Sequence, residues 1–182
     1  MADPGVTGVL LVGGASRRFG SPKALARLGG ETLAERAWRV LGEAFPVRLA
    51  VGKAVDGLEL PFPVLDDGSE VRASLAGIVG GLRAAETDVV VFLPVDCPRV
   101  DSASLRELVA ACRDAATPPS GPLPGAYRRS VLPALERALA AGELRIRDAF
   151  AGLDVAVVDL DPALLANVNK PADLARLASE IS

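Results

Sequence analysis

Apolar positions along the chain follow two rhythms that alternate from end to end. Short, nearly unbroken aliphatic runs at 6–12, 47–51, 62–65, 88–96 and 155–160 read as strands. Between them, residues 31–44, 74–85, 102–112, 131–141 and 144–150 space their apolar side chains three and four apart with charges between, as helices do. In the first of these helices Leu33, Ala34, Ala37, Trp38 and Leu41 share one face, which makes Trp38 a core residue, and Thr32 or the glycines before it can cap the start. Asp101 or Ser102 caps the third helix, and Pro171 sits in the first turn of a last one. The run at 88–96 has the continuous hydrophobicity of a strand buried on both faces of a parallel sheet. Strands alternating with helices predict a three-layer α/β/α sandwich around a mainly parallel sheet, Rossmann-like in the loose sense. The stretch 117–125 is rich in proline and glycine and reads as a loop over a site within a single domain spanning 1–182.

The first strand discharges into the most unusual segment of the chain, Gly13-Gly14-Ala15-Ser16-Arg17-Arg18-Phe19-Gly20-Ser21-Pro22-Lys23. Three glycines allow close backbone approach, while a hydroxyl and three cations follow within eight residues. Together they make a phosphate cradle, placed at the carboxyl end of a strand where open α/β sheets bind ligands. The spacing fits neither common glycine loop. Gly20 is followed by Ser21-Pro22 before Lys23, unlike a Walker loop, and Gly13, Gly14 and Gly20 do not make Gly-x-Gly-x-x-Gly. A solvated basic turn is the alternative.

Composition narrows the chemistry. With 182 residues, half of them hydrophobic, the chain can bury one sizeable core. A net charge of −3 without a basic stripe argues against nucleic acid as a partner. No apolar run reaches the ~20 residues that span a bilayer, and the first residues lack the pattern of a signal peptide, so a cytoplasmic protein without membrane contact is expected. Two cysteines, Cys97 and Cys112, do not make a disulfide framework. The absence of histidine excludes Ser-His and Cys-His nucleophiles and leaves Asp, Asn, Lys and Arg to act. Lysine is scarce, at Lys23, Lys53 and Lys170 only.

Three further groups can carry chemistry. Asp96, at the end of the most apolar strand, suits magnesium, which takes one or two carboxylates and completes its shell with phosphate and water; a turn-forming or capping role is the alternative. Asp66 and Asp67 form an acidic pair that also fits a solvated turn before Gly68. Asn167 and Asn169 put two amides on one side of an extended segment, though Asn169 can equally cap the last helix.

The loop from Gly13 to Lys23 resembles the signature of the nucleotidyltransferases that build molybdenum cofactor dinucleotides, and its double glycine resembles their guanylyltransferase branch. Val95-Asp96-Cys97-Pro98 is similar to the family's Asp-x-Pro motif, and Asn167-Val168-Asn169-Lys170-Pro171 to its Asn-x-Asn-x-Pro segment. The resemblance implies a nucleotide-diphospho-sugar transferase type of fold and the transfer of GMP from GTP to molybdopterin, with magnesium as cofactor and transient contacts to other proteins of cofactor assembly. It implies a nucleotide site made of Leu11, Val12, Gly13, Gly14, Ser16, Arg18, Lys23, Asp66, Leu75, Gly77 and Asp96. Arg18, Lys23 and Asp96 are its catalytic residues, Asp96 binds the metal, and Asn167 and Asn169 lie near the metal and the second substrate. Counting back from Leu75-Ala76-Gly77 selects Asp66 from the acidic pair. Tyr127-Arg128-Arg129 is similar to a family stretch near the pterin, with a solvated basic turn as the alternative, and Cys97 receives no role. Ala73-Ser74 departs from the family's Gly-Pro, which bears on base recognition. A cytidylyltransferase on the same cofactor, a sugar-phosphate nucleotidyltransferase and a non-catalytic nucleotide-binding partner are the other readings.

Overall fold

A computed structural model of the chain describes residues 5–13 and 19–181. Its centre is a seven-stranded sheet in the order β5-β4-β1-β6-β8-β7-β9. The strands are β1 (Val6–Leu11), β4 (Val47–Gly52), β5 (Leu65–Asp66), β6 (Val89–Pro94), β7 (Ala115–Thr117), β8 (Gly125–Arg128) and β9 (Val155–Val157), while β2 (Arg27–Leu28) and β3 (Glu31–Thr32) form a separate hairpin. Only β8 runs against its neighbours. Register matters most for function. Leu11 of β1 pairs with Val51 of β4 and with Pro94 of β6, and Gly52 pairs with Asp66 of β5. Four parallel strands therefore end level, and the residues after each of them emerge along one edge.

Alternation along the strands sorts the core into two layers. Val6, Leu10, Val91 and Leu93 face α1 (Leu33–Ala44) and α3 (Ser102–Ala111). Val9, Leu11, Val90 and Phe92 face α2 (Ser74–Ala84), α4 (Leu132–Ala140) and α5 (Ile146–Ala149). Helix α2 packs closely on the sheet and on the loop after β5 because its glycines permit it. A Cβ on Gly81 would stand 2.5 Å from the Phe92 ring, and one on Gly80 would stand 2.8 Å from the Asp67 Cα. A third small cluster joins Leu28 and Leu33 to Val168 and to Leu177 of α6 (Pro171–Ile181), seating the end of the chain beside the hairpin.

The predicted sandwich is present, with local differences. The first helix begins at Leu33, because Thr32 caps it and Glu35 reciprocates in a capping box, which leaves Glu31 and Thr32 to the hairpin. Asp101 caps α3, its carboxylate accepting from the Ser104 amide at 2.8 Å. The short strand predicted at 62–65 lies instead at Leu65–Asp66, and the late strand stops at Val157. Strands β7 and β8, on either side of the proline-rich stretch, carry too few residues to show a period, and β8 holds its place by antiparallel pairing to β6. Among the described residues no helix is long and apolar enough to cross a membrane.

Candidate active site

The level strand ends surround a cleft of about 420 Å³. Its lining includes Leu11, Val12 and Gly13 after β1, Gly52 and Lys53 after β4, Asp67 after β5 and Pro94 to Cys97 after β6. Ala73, Ser74 and Gly77 of the amino-terminal end of α2 form one wall, and Asn167 and Leu123 contribute from elsewhere in the chain. Gly13 and Gly52 make a strip without side chains between the two ends of the cleft; a Cβ on Gly52 would stand 2.7 Å from Val12 Cγ2.

One end of the cleft is built around Lys23 and Asp96. Lys23 opens a 3-10 turn, Lys23–Leu25, which is pinned by the burial of Ala24. Its Nζ donates to Asp96 Oδ2 at 3.4 Å and to Asn169 Oδ1 at 3.1 Å. Asp96 is carried there by Val95, whose amide donates to the Leu11 carbonyl at 3.2 Å, and the chain then turns, with the Cys97 amide on the Pro94 carbonyl. Arg36 of α1 steadies that turn through the Pro98 carbonyl at 2.8 Å. Because Asp101 is the cap of α3, Asp96 is free of the capping role that its position allowed.

The carboxyl-terminal segment is tied to the same corner. The Val168 amide donates to the Asp96 carbonyl at 2.8 Å, and the Val168 side chain is buried. Asn167 and Asn169 on either side therefore turn toward the cleft end of β6. Asn167 Oδ1 accepts from the Cys97 thiol at 2.9 Å. Burial and the neighbouring Asp96 charge push that thiol well above its ordinary pKa, so it acts as a protonated donor. Asp173 accepts from the amides of Asn169 and Lys170, both at 2.9 Å, and those bonds lower its pKa. The Asn169 side chain thus serves Lys23 while Asp173 secures the start of α6.

The other end of the cleft is built around Lys53 and Asp67. Lys53 Nζ donates to Asp67 Oδ1 at 2.7 Å and to the Ser69 carbonyl, and Asp67 Oδ1 also accepts from the Ser69 amide at 2.9 Å. Both side chains are buried, at 8% and 5% exposure. The close approach of Asp67 to Gly80 presses the loop onto α2. Arg72 stands at the rim, paired with Asp56 at 2.6 Å.

The structure therefore brings together Leu11, Val12, Gly13, Lys23, Gly77, Asp96 and Asn167 along the cleft, with Asn169 against Lys23. Gly14, Ser16 and Arg18 lie outside the described residues. Of the described residues expected to hold the nucleotide, two do not line the cleft. Leu75 is fully buried in the α2 layer. Asp66 is exposed, its carboxylate committed to the amides of Ala54 at 2.7 Å and Gly68 at 2.8 Å, which lower its pKa. Asp67 occupies the cleft in its place, since consecutive residues of an extended segment point to opposite sides. The expectation that Tyr127-Arg128-Arg129 lies near a second substrate is also corrected. Antiparallel pairing sets Arg128 against Val89, at the end of β6 away from Asp96, where it pairs with Asp88, and Tyr127 is a core residue in edge contact with Phe92. The Tyr127 hydroxyl donates to the Pro122 carbonyl at 2.6 Å and holds the proline-rich loop, from which Leu123 reaches the cleft. Neither Lys53 nor Asp67 belongs to a motif that marks it as functional along the chain; the rarity of lysine is the available signal for Lys53.

A family model described as a MobA-like NTP transferase domain matches residues 8–157. The chain is 39% identical over 186 residues to a protein of Deinococcus radiodurans named "Probable molybdenum cofactor guanylyltransferase", covering 95% of this chain and 94% of that one. It is 33% identical over 192 residues to one of the same name from Chloroflexus aggregans, covering 93% and 91%. The crystal structure of molybdopterin-guanine dinucleotide biosynthesis protein A from Archaeoglobus fulgidus superposes with a TM-score of 0.80 at 28% identity, covering 96% of this chain and 98% of that one.

Proposed function

The chain belongs to the family of MobA-like NTP transferase domains, and from that premise we propose that it is a molybdenum cofactor guanylyltransferase. As a single catalytic domain acting in the cytoplasm, it transfers GMP from GTP to the terminal phosphate of molybdopterin and releases pyrophosphate. An oxygen of the cofactor phosphate attacks the α-phosphorus of GTP. A new P–O bond forms as the bond from the α-phosphorus to the bridging oxygen breaks, and pyrophosphate leaves with that electron pair. The nucleophile comes from the substrate, so no protein nucleophile is required, in keeping with a chain that has no histidine.

The observation that carries this reading is the meeting of Lys23, Asp96 and Asn169 at the end of the parallel sheet, in the cleft that Gly13 also lines. Lys23, with Arg18, holds the triphosphate and offsets its charge; Gly13, Gly14 and Ser16 present backbone amides to it. Leu11, Val12, Asp67 and the α2 wall at Gly77 hold the nucleoside, and Asp66 braces the Asp67 loop. Asn167 and Asn169 orient the attacking phosphate without adding negative charge. Catalysis on this account is positioning and charge stabilisation.

Asp96 is the residue that would hold magnesium. The donor chemistry fits, since among the described residues the hydrogen-bond partner of its Oδ1 is the Cys97 thiol, at 3.8 Å, and a hard carboxylate oxygen beside a phosphate site is what the ion prefers. Held there, magnesium would supply neutralisation of phosphate charge.

The testing experiment titrates the protein with GTP, CTP, UTP and ATP, each with magnesium and with magnesium chelated, by calorimetry. GTP is expected to bind selectively and to require the metal. Selective binding of CTP would move the base and keep the phosphate chemistry, and no response to any nucleotide would overturn the reading.

A further inference from the structure

The Lys53–Asp67 pair has an unusual construction for a structural ion pair, because it is buried and yet lines the cleft. Two groups account for two of the three ammonium N–H bonds of Lys53, namely Asp67 Oδ1 and the Ser69 carbonyl. On the carboxylate, Oδ1 is occupied by Lys53 and by the Ser69 amide, while among the described residues no donor engages Oδ2. Among the described residues no buried side-chain polar atom lacks a partner, so Oδ2 is open rather than enclosed. The pair therefore keeps one ammonium N–H and one carboxylate oxygen outside these bonds, on two residues that line the cleft with the side-chain-free strip at Gly13 and Gly52.

We propose that Lys53 is a specificity-determining residue that donates a hydrogen bond to the 6-carbonyl oxygen of the guanine base while Asp67 Oδ2 accepts from the adjacent ring N–H. The proposal rests on the guanylyltransferase reading, which sets a guanine at this end of the cleft. Guanine offers O6 as acceptor next to N1–H and the 2-amino group as donors. Adenine and cytosine present the opposite order, an exocyclic amine where guanine has O6 and a bare ring nitrogen where it has N1–H. Either would set the amine against the ammonium and a lone pair against the carboxylate. Polar groups left facing like groups in a desolvated site are the strongest form of rejection available to a binding cleft. Because Asp67 and Ser69 hold the ammonium before any ligand arrives, little side-chain entropy is lost on binding.

The test uses 6-thioguanosine triphosphate, which keeps every ring N–H of guanine and replaces only O6 with sulfur, a poor acceptor. Calorimetry on the full chain compares its affinity with that of GTP for wild type, K53M and the doubly neutral K53M/D67N variant. Wild type is expected to prefer GTP by about ten- to a hundredfold, the value of a hydrogen bond from a charged donor. In K53M that ratio falls to near one, through loss of GTP affinity with 6-thioguanosine triphosphate little changed. K53M/D67N, which leaves no unpaired buried charge, gives the same collapsed ratio. Equal wild-type affinity for the two nucleotides overturns the proposal whether or not the variants fold. So does a K53M variant that weakens both nucleotides by the same factor, which is the signature of a purely structural lysine. Wild-type preference for CTP or ATP over GTP would instead overturn the guanylyltransferase reading itself, so the two failures are distinguishable.

Discussion

Each end of the cleft is organised by a Lys–Asp pair, and the two pairs are built differently. Lys23 and Asp96 stand 3.4 Å apart with 16% and 28% of their side chains exposed; Lys53 and Asp67 stand 2.7 Å apart and are nearly enclosed. The first is long, partly exposed and shared with Asn169, so on the proposed reading its ammonium can turn to an incoming phosphate at low cost and its carboxylate can take a cation. The second is held by the Ser69 backbone on both partners, which on the proposed reading makes it a template whose shape precedes the ligand. On the proposed reading, charge that must be exchanged during turnover sits in the looser pair, and charge that must discriminate sits in the rigid one.

The largest expected effect separates the pairs by activity. K23A and D96A should each lower kcat by at least about a hundredfold, as loss of a transition-state contact does, while shifting the thermal midpoint by no more than about 2–4 °C, since a partly exposed ion pair contributes little to stability. Steady-state kinetics and thermal denaturation on the same preparations check both halves. Near-native turnover in either variant would remove the distinction.

Stability should show the reverse. D67A strands the buried Lys53 ammonium and is expected to cost about 3 kcal/mol, a fall of roughly 6–12 °C in midpoint for a domain of this size. A midpoint drop no larger than that of D96A would mean the second pair is as loosely held as the first.

The smallest effect concerns the support of the first pair. Asp173 has its pKa lowered by the Asn169 and Lys170 amides, so it favours the folded state above the ordinary carboxylate value of about 4, and that contribution disappears as pH falls through the lower folded value. Wild type should therefore exceed D173N in urea midpoint at pH 7, and the gap should close below about pH 4. A gap independent of pH would show that the carboxylate charge plays no part in holding the Asn167–Asn169 segment.

Much of the first pair was legible along the chain. A strand running into glycines and cations, an aspartate at the end of the most apolar run, and two asparagines before a helix-starting proline each carry their chemistry locally. The second pair was not legible, and Asp66 shows why. Counting positions selected it over Asp67, yet β5 is only two residues long, and a shift of one residue in an extended segment exchanges the side facing the cleft for the side facing solvent. Strands β7 and β8 were equally hidden, because three or four residues beside prolines have no readable period.

By itself, the sequence determined the alternation of strand and helix, the parallel core and the charged groups of the Lys23–Asp96 corner, because hydrophobic period and turn residues act over a few neighbours. Only the tertiary structure decided that four strands end level, that Gly80 admits the Asp67 backbone, and that Lys53 meets Asp67 across 14 residues while Lys23 meets Asp96 across 73. Those meetings depend on sheet register and on close packing between layers, and neither is encoded within a short stretch of chain.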